Sequence, residues 1–389
     1  MTSSSLRLCS AAELPGLLPD ALAGRTVLAP VGEVPEQTLA MLRPELPVTE
    51  ADAAVVVATS GSSGVPKGVV LSRRALLAAA ESAQSRLGVM TWTCVLPVGY
   101  VAGLMVLVRA HVAGRPVRFA TSDLSDLAPA PGPNAISIVP TQLFRAMERP
   151  DVLASLARYD VILLGGAAVD PDLLQSARDQ GLNLITTYGM SETCGGCVWD
   201  GEPLPGVSVG LAGASTGSEI VLGSGAQIPA ATADPAEAPS GRILLTGEMA
   251  FSGYRLNTEL TAQTLDGRTV ITQDRGQIVD GRLRVLGRMD DVVISGGVNV
   301  DLAAVQRAVD AVEPGTSVVL AVPDAEWGSR ITLISSSAHD LVWWQARLAP
   351  ALGRAALPRA LTSVDGLPRT SSGKIDRQSL LGELLDKKD

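Results

Sequence analysis

Two lysines carry the most specific chemistry in this chain. Lysine is rare in it: Lys and Arg together number 31, yet the only lysines are Lys67, Lys374 and the Lys387-Lys388 pair of the tail, which reads as solvated. Lys67 closes the run Thr59-Ser60-Gly61-Ser62-Ser63-Gly64-Val65-Pro66-Lys67-Gly68, and Lys374 closes Pro368-Arg369-Thr370-Ser371-Ser372-Gly373-Lys374. Small residues let backbone amides approach an anion closely, and Lys adds a compact point charge where Arg would add a rigid planar fork. In the first run the hydroxyls of Thr59, Ser60, Ser62 and Ser63 are further donors. A strand before it and a helix after it are expected, an order that aims backbone N–H groups and a helix N-terminus at phosphate. The spacing is not that of the P-loop G-x-x-x-x-G-K-[ST], because Pro66 precedes the lysine and Gly68 follows it.

A second constellation is Thr187-Tyr188-Gly189-Met190-Ser191-Glu192-Thr193, expected as a polar turn after a strand. Tyr188 offers a ring to stack on a base, Thr193 a hydroxyl for a phosphate oxygen, and Glu192 a carboxylate for Mg²⁺ shared with nucleotide oxygens. Asp274, expected just past the strand that ends Ile271-Thr272-Gln273, offers a carboxylate to ribose hydroxyls, with a plain turn residue as the equal reading. Cys194 and Cys197 match C-x-x-C, but the only histidines are His111 and His339, in unrelated settings, so apolar packing is expected there before metal binding. Arg109 is expected as a solvated helix arginine, with contact to the second carboxylate of a dicarboxylic acid as the other reading.

These residues need a scaffold. Residues 51–58 are a β-branched run that reads as a buried strand, and 73–87 reads as an Ala- and Leu-rich helix. Apolar strands at 135–139, 161–164 and 184–187 alternate with helical patterns at 141–148 and 170–180. Such alternation implies a parallel sheet with ligands at the C-terminal ends of its strands. From Gly206 short strands and glycine turns replace it, which reads as an antiparallel β-rich subdomain over 206–287. Within it, 226–239, rich in Ala and Pro, is expected to be a variable loop. An α+β tail follows, with a helix at 302–312 and strands at 318–322 and 331–335. The expected architecture is α/β: a large domain over 1–289 and a small mobile one over 290–389, hinged at Asp290.

Composition removes several function classes. A formal charge of −9 opposes binding to a phosphate backbone, and 3% aromatics leave few platforms for stacking single-stranded bases, so no nucleic-acid partner is expected. Residues 95–108, the longest apolar stretch, fall short of the roughly 20 residues needed to span a bilayer. The first residues lack the basic and apolar pattern of a signal peptide, and four cysteines make no secreted framework, so a cytoplasmic protein is expected.

Taken together the motifs resemble one family, the adenylate-forming superfamily of acyl-CoA synthetases, nonribosomal adenylation domains and luciferases. Thr59–Ser72 resembles its phosphate loop, Tyr188–Thr193 its adenine and Mg²⁺ motif, and Asp274 its ribose-binding aspartate. Leu164-Gly165-Gly166-Ala167 looks like the strand end against which adenine lies. The run from Gly287-Arg288 through Asp290 to Ser295-Gly296-Gly297 resembles its hinge motif, and Lys374 its catalytic lysine.

The resemblance implies two half-reactions: a carboxylic acid attacks ATP to give acyl-AMP and pyrophosphate, and a thiol, usually coenzyme A, then displaces AMP. It implies Lys374, Lys67, Glu192 and Thr193 as catalytic groups, with Mg²⁺ on Glu192. It adds Thr187, Tyr188, Gly189, Met190, Ser191, Arg288 and Gly165–Ala167 to the nucleotide site, and Ser295, Gly296 and Gly297 to the coenzyme A channel. Within the superfamily, the string from Thr187 to Gly201 and the segment Leu96–Leu104 are closest to o-succinylbenzoate–CoA ligases of menaquinone biosynthesis. An acyl pocket of Gly99, Tyr100, Gln142, Gly189, Ser191 and Gly195 is then implied, and a homodimer is left open. Gly99-Tyr100 replaces the usual His, Gln273 stands where Gly is usual before the ribose aspartate, and the Pro-x-Glu helix start after Gly297 is missing. Another acyl- or aryl-CoA ligase, an enzyme loading a carrier protein, and a silent nucleotide-binding regulator are the alternatives.

Overall fold

The computed structural model describes residues 5–31, 36–60, 66–213, 220–223, 240–324, 326–369 and 375–386. The expected variable loop at 226–239 therefore lies outside the described residues, as do Lys387 and Lys388. The chain forms two compact units, one of 1–272 with 277–284 and one of 273–276 with 285–389. The fold is mixed α/β with several sheets, as the alternating pattern implied.

In the first unit, three parallel strands, Leu6–Cys9, Val27–Pro30 and Ala53–Ser60, continue into antiparallel Pro66–Ser72 and then Gly253–Tyr254. A seven-stranded sheet has the order Glu202–Pro203, Gly195–Trp199, Leu184–Met190, Val161–Leu164, Asn134–Ile138, Thr91–Cys94, Arg118–Phe119. Its pairs from Leu184–Met190 onward are parallel, whereas Gly195–Trp199 returns antiparallel. Parallel strands covered on both faces read as unbroken apolar runs, and Val161–Leu164 is buried throughout. Helices Arg73–Leu87 and Val101–Val112 pack together, and their buried Leu76, Ala80, Leu104 and Val108 share a core with Trp92 and Leu163. The β-rich part after Gly206 includes Val207–Ala212 between Ile220–Gly223 and Ser240–Gly247.

The second unit has its own five-stranded sheet. Val298–Asp301, Val292–Ser295, Gly328–Ser335 and Ser317–Asp324 follow in order, and Ala360–Ser363 pairs parallel with Gly328–Ser335. Helix Leu302–Val312 begins at Asp301, whose carboxylate accepts from the N–H groups of Ala303 and Ala304 at 2.9 and 3.2 Å. Such a cap satisfies two of the four free donors of a helix start. Leu302, Val305 and Val309, at helical spacing, then bury against Ile331, Leu333 and Trp344. No described helix is long and apolar enough to cross a membrane.

Candidate active site

Two paired strands flank the phosphate-type loop. Ala53–Ser60 pairs antiparallel with Pro66–Ser72, Thr59 lying opposite Lys67 and Ser60 opposite Pro66. This corrects the expected strand–loop–helix order. Val69, Val70 and Leu71 are fully buried, so the chain continues as a strand past Lys67, and the helix starts only at Arg73, capped by the Ser72 hydroxyl at 3.0 Å from Ala75 N. Lys67 is thus a strand residue. Gly61, Ser62, Ser63 and Gly64 lie outside the described residues, as does Lys374. The hydroxyl of Thr59 donates to the Lys67 carbonyl at 3.4 Å.

The Thr187–Thr193 segment is likewise less of a turn than expected. Its first four residues extend strand Leu184–Met190, a single 3-10 turn holds Ser191–Thr193, and Gly195–Trp199 returns alongside. The two strands approach so closely that a methyl at Gly189 would run into the Gly195 carbonyl. A methyl on Gly165 would meet the Thr187 hydroxyl of the next strand. These glycines set the spacing at the C-terminal end of the parallel sheet, with Gly166 and Ala167 exposed just beyond. Thr193 departs from its expected role: it is fully buried, and its hydroxyl accepts from Met190 N at 2.9 Å and donates to the Gly195 carbonyl at 2.8 Å. It shapes the turn and leaves half-buried Ser191 as the hydroxyl at its mouth.

Glu192 and Lys67 meet through a residue that the sequence reading missed. The Tyr254 hydroxyl donates to Glu192 Oε1 at 2.6 Å, and Lys67 Nζ lies 5.6 Å from the centroid of the same ring. Burial, and then the neighbouring carboxylate, hold the Tyr254 phenol well above its usual pKa, so it remains a donor. A pocket of about 230 Å³ lined by Pro66, Lys67, Gly68, Tyr254, Arg255 and Asn257 opens beside it. Arg255 closes its floor: the buried guanidinium donates to the carbonyls of Leu42, Arg43, Leu46 and Pro47 at 2.7–3.1 Å. The scarcity of tyrosine, four in the chain, was the available signal for Tyr254.

Among the described residues no cluster of three or more His, Cys, Asp or Glu can hold a metal. A single half-buried carboxylate with one oxygen held by a donor suits Mg²⁺, which is commonly bound by one or two carboxylates together with substrate phosphates. Cys194 and Cys197 are buried, and burial drives both thiols up, Cys197 to about 12, so neither is a reactive thiolate.

Arg109 is not solvated. It is 7% exposed on helix Val101–Val112, and burial pulls its pKa down to about 10. Its guanidinium sits 5.1 Å from the Trp92 ring centroid, and its Nε has no partner among the described residues. One helical turn earlier on the same face, Met105 Cγ lies 3.7 Å from where a methyl on Gly195 would stand. The helix face bearing Arg109 therefore borders the hairpin that carries Glu192. Gly99 and Tyr100, both half-buried, lead into this helix. Gln142, expected in the acyl pocket, braces a helix start: its amide accepts from Val139 N at 3.0 Å and donates to the Ser122 carbonyl at 2.8 Å.

The remaining expected residues belong to the second unit or its border. Asp274 is half-buried within the long strand Thr269–Val279, not past a strand end, because the alternation of buried side chains continues to Ile278. Arg288 ends strand Arg282–Arg288, and Asp290 falls in the 3-10 turn Met289–Asp291. Ser295 is fully buried, its hydroxyl without a partner among the described residues, so of its trio only Gly296 and Gly297 face solvent, in the turn before Val298–Asp301.

Residues 12–255 match the family model described as AMP-binding enzyme. The chain is 34% identical over 355 residues to the probable 2-succinylbenzoate–CoA ligase of Mycobacterium tuberculosis, which covers 85% of this chain and 84% of that protein. It is 29% identical to the 2-succinylbenzoate–CoA ligase of Enterococcus faecalis, over 85% of this chain and 69% of that one. Among solved structures, o-succinylbenzoate CoA synthetase (MenE) of Bacillus subtilis in complex with the acyl-adenylate intermediate OSB-AMP superposes with a TM-score of 0.71 at 22% identity, covering 96% of this chain and 82% of that one. That likeness concerns the fold, and the sequence match carries the kinship: this chain belongs to the AMP-binding enzyme family.

Proposed function

We propose that this protein ligates 2-succinylbenzoate to coenzyme A in two steps, as in menaquinone biosynthesis. A carboxylate oxygen of the acid attacks the α-phosphorus of ATP, the α–β phosphoanhydride bond breaks, and pyrophosphate leaves. The thiolate of coenzyme A then attacks the acyl carbon, and the bond to AMP breaks. Mg²⁺, when bound at Glu192 with the nucleotide, supplies charge neutralisation on the phosphates. Lys67 beside the loop draws the charge that leaves on pyrophosphate. Lys374, in the resemblance, bridges carboxylate and α-phosphate during the first step, and a swing of the second unit about Asp290 then withdraws it and brings in the Ser295–Gly297 turn.

The observation that carries the choice of acid is Arg109. Among the described residues Arg109 pairs with no carboxylate; an unpaired buried cation is costly, and a ring face offsets only about 2 kcal/mol of that. A second carboxylate on the substrate supplies the missing anion, and 2-succinylbenzoate has one. The names of the bacterial relatives point to the same acid. Four buried free thiols fit a reducing cytoplasm. A homodimer is the assembly proposed, to be read by light scattering.

The deciding assay is thioester formation with free coenzyme A against a panel of acids. 2-Succinylbenzoate should give the highest kcat/KM. A product from another acid only would overturn the choice of substrate, and absence of carboxylate-dependent ATP–pyrophosphate exchange with every acid would overturn the enzyme.

A further inference from the structure

We infer that Tyr254 is a positioning residue that presets the metal-side carboxylate and the phosphate-side lysine for nucleotide. The inference rests on reading Glu192 as the residue that shares Mg²⁺ with ATP. Tyr254 occupies the short strand Gly253–Tyr254, opposite Val69 of strand Pro66–Ser72. Its surroundings leave it little freedom. Tyr254 N donates to Thr261 Oγ1 at 2.8 Å, Ser252 N to the Val70 carbonyl at 2.8 Å, and Arg255 N to the Gly68 carbonyl at 2.7 Å. Phe251 N donates to the Glu192 carbonyl at 2.9 Å, and the Phe251 ring meets the Tyr254 ring edge-on at 4.9 Å. The segment 251–255 therefore stitches the backbone of Glu192 to the strand of Lys67, with Tyr254 6% exposed between them.

From that place one phenol serves two charges. Its hydroxyl holds Glu192 Oε1, which leaves the other oxygen to a metal, and its face supports the Lys67 ammonium. Glu192 and Lys67 bear opposite charges in a partly buried site, where attraction is stronger than in water. Yet among the described residues Lys67 makes no ion pair with Glu192 or any other acid, and the phenol contacts both. Free enzyme is thereby kept from neutralising itself, and both groups meet Mg²⁺–ATP already oriented.

The test is calorimetric binding of a non-hydrolysable ATP analogue at a series of Mg²⁺ concentrations and in EDTA, with the melting temperature followed in parallel. Tyr254→Phe keeps the ring under Lys67 and removes one oxygen. It should raise the half-saturating Mg²⁺ concentration by about 10-fold, the low end for loss of a group that orients a metal ligand, and leave affinity in EDTA unchanged. Tyr254→Leu should also weaken binding in EDTA. Wild-type Mg²⁺ dependence in Tyr254→Phe, alongside a shift in Glu192→Gln, would overturn the role of Tyr254 alone. No shift in Glu192→Gln would overturn the reading of Glu192 and with it this inference. Should Tyr254→Phe not fold, Glu192→Asp withdraws the carboxylate from the hydroxyl while keeping its charge. The same shift is expected there, and a wild-type response refutes the inference.

Discussion

At the scale of single residues, burial decides what a charged side chain is for. Arg109 lies in an apolar helix, and its type and spacing match those of a solvated arginine as well as those of a buried one. Only the packing of that helix on the sheet encloses it beside Trp92. If it holds the aromatic carboxylate of the acid, Arg109→Met should cut kcat/KM for 2-succinylbenzoate by about 10- to 100-fold, the loss of one charged hydrogen bond of about 1.5–3 kcal/mol. The analogue lacking that carboxylate, 4-oxo-4-phenylbutanoate, should be used equally by both forms. A matching loss with both acids would place Arg109 in the structure and not in recognition. Thr193 teaches the converse: a hydroxyl beside Glu192 was legible as chemistry, yet the turn consumes it, because a one-residue offset along the chain moved it from the mouth to the interior.

At the scale of elements, two hairpins do the positioning. The loop after Thr59 was legible from composition, but its setting was not. Whether the chain after a glycine-rich loop becomes strand or helix depends on the partner strand available to Val69-Val70-Leu71, and that partner is Ala53–Ser60. The second hairpin depends on close approach at Gly189. Gly189→Ala forces a methyl into the Gly195 carbonyl, so a destabilisation of about 1–3 kcal/mol is expected, seen as a lower melting temperature together with lower adenylation as Glu192 is displaced. Gly16→Ala, in a helix where a methyl meets nothing, is the control, and should be neutral or stabilising by up to about 1 kcal/mol. Equal melting temperatures for the two variants would refute the strand-spacing account.

At the scale of the whole molecule, the division into two compact units gives the proposed two-step chemistry a means of separating its steps. Lys374→Ala should abolish carboxylate-dependent ATP–pyrophosphate exchange, while coenzyme A transfer from supplied acyl-adenylate stays within about threefold of wild type. Single-turnover assays of each half-reaction read this directly. Equal loss in both halves would contradict the swing about Asp290.

The sequence by itself determined the alternation of strand and helix, the bounds of the helices at 73–87 and 302–312, and the residue types from which a nucleotide site is made. These are local properties, written in periodicity, caps and small-residue runs. Only the tertiary structure decided that Tyr254 meets both Glu192 and Lys67, that Arg109 is enclosed, and that Gln142 and Thr193 hydrogen-bond to backbone. Each of those outcomes depends on which surface a side chain meets across a long stretch of chain. No window of neighbouring residues contains that information.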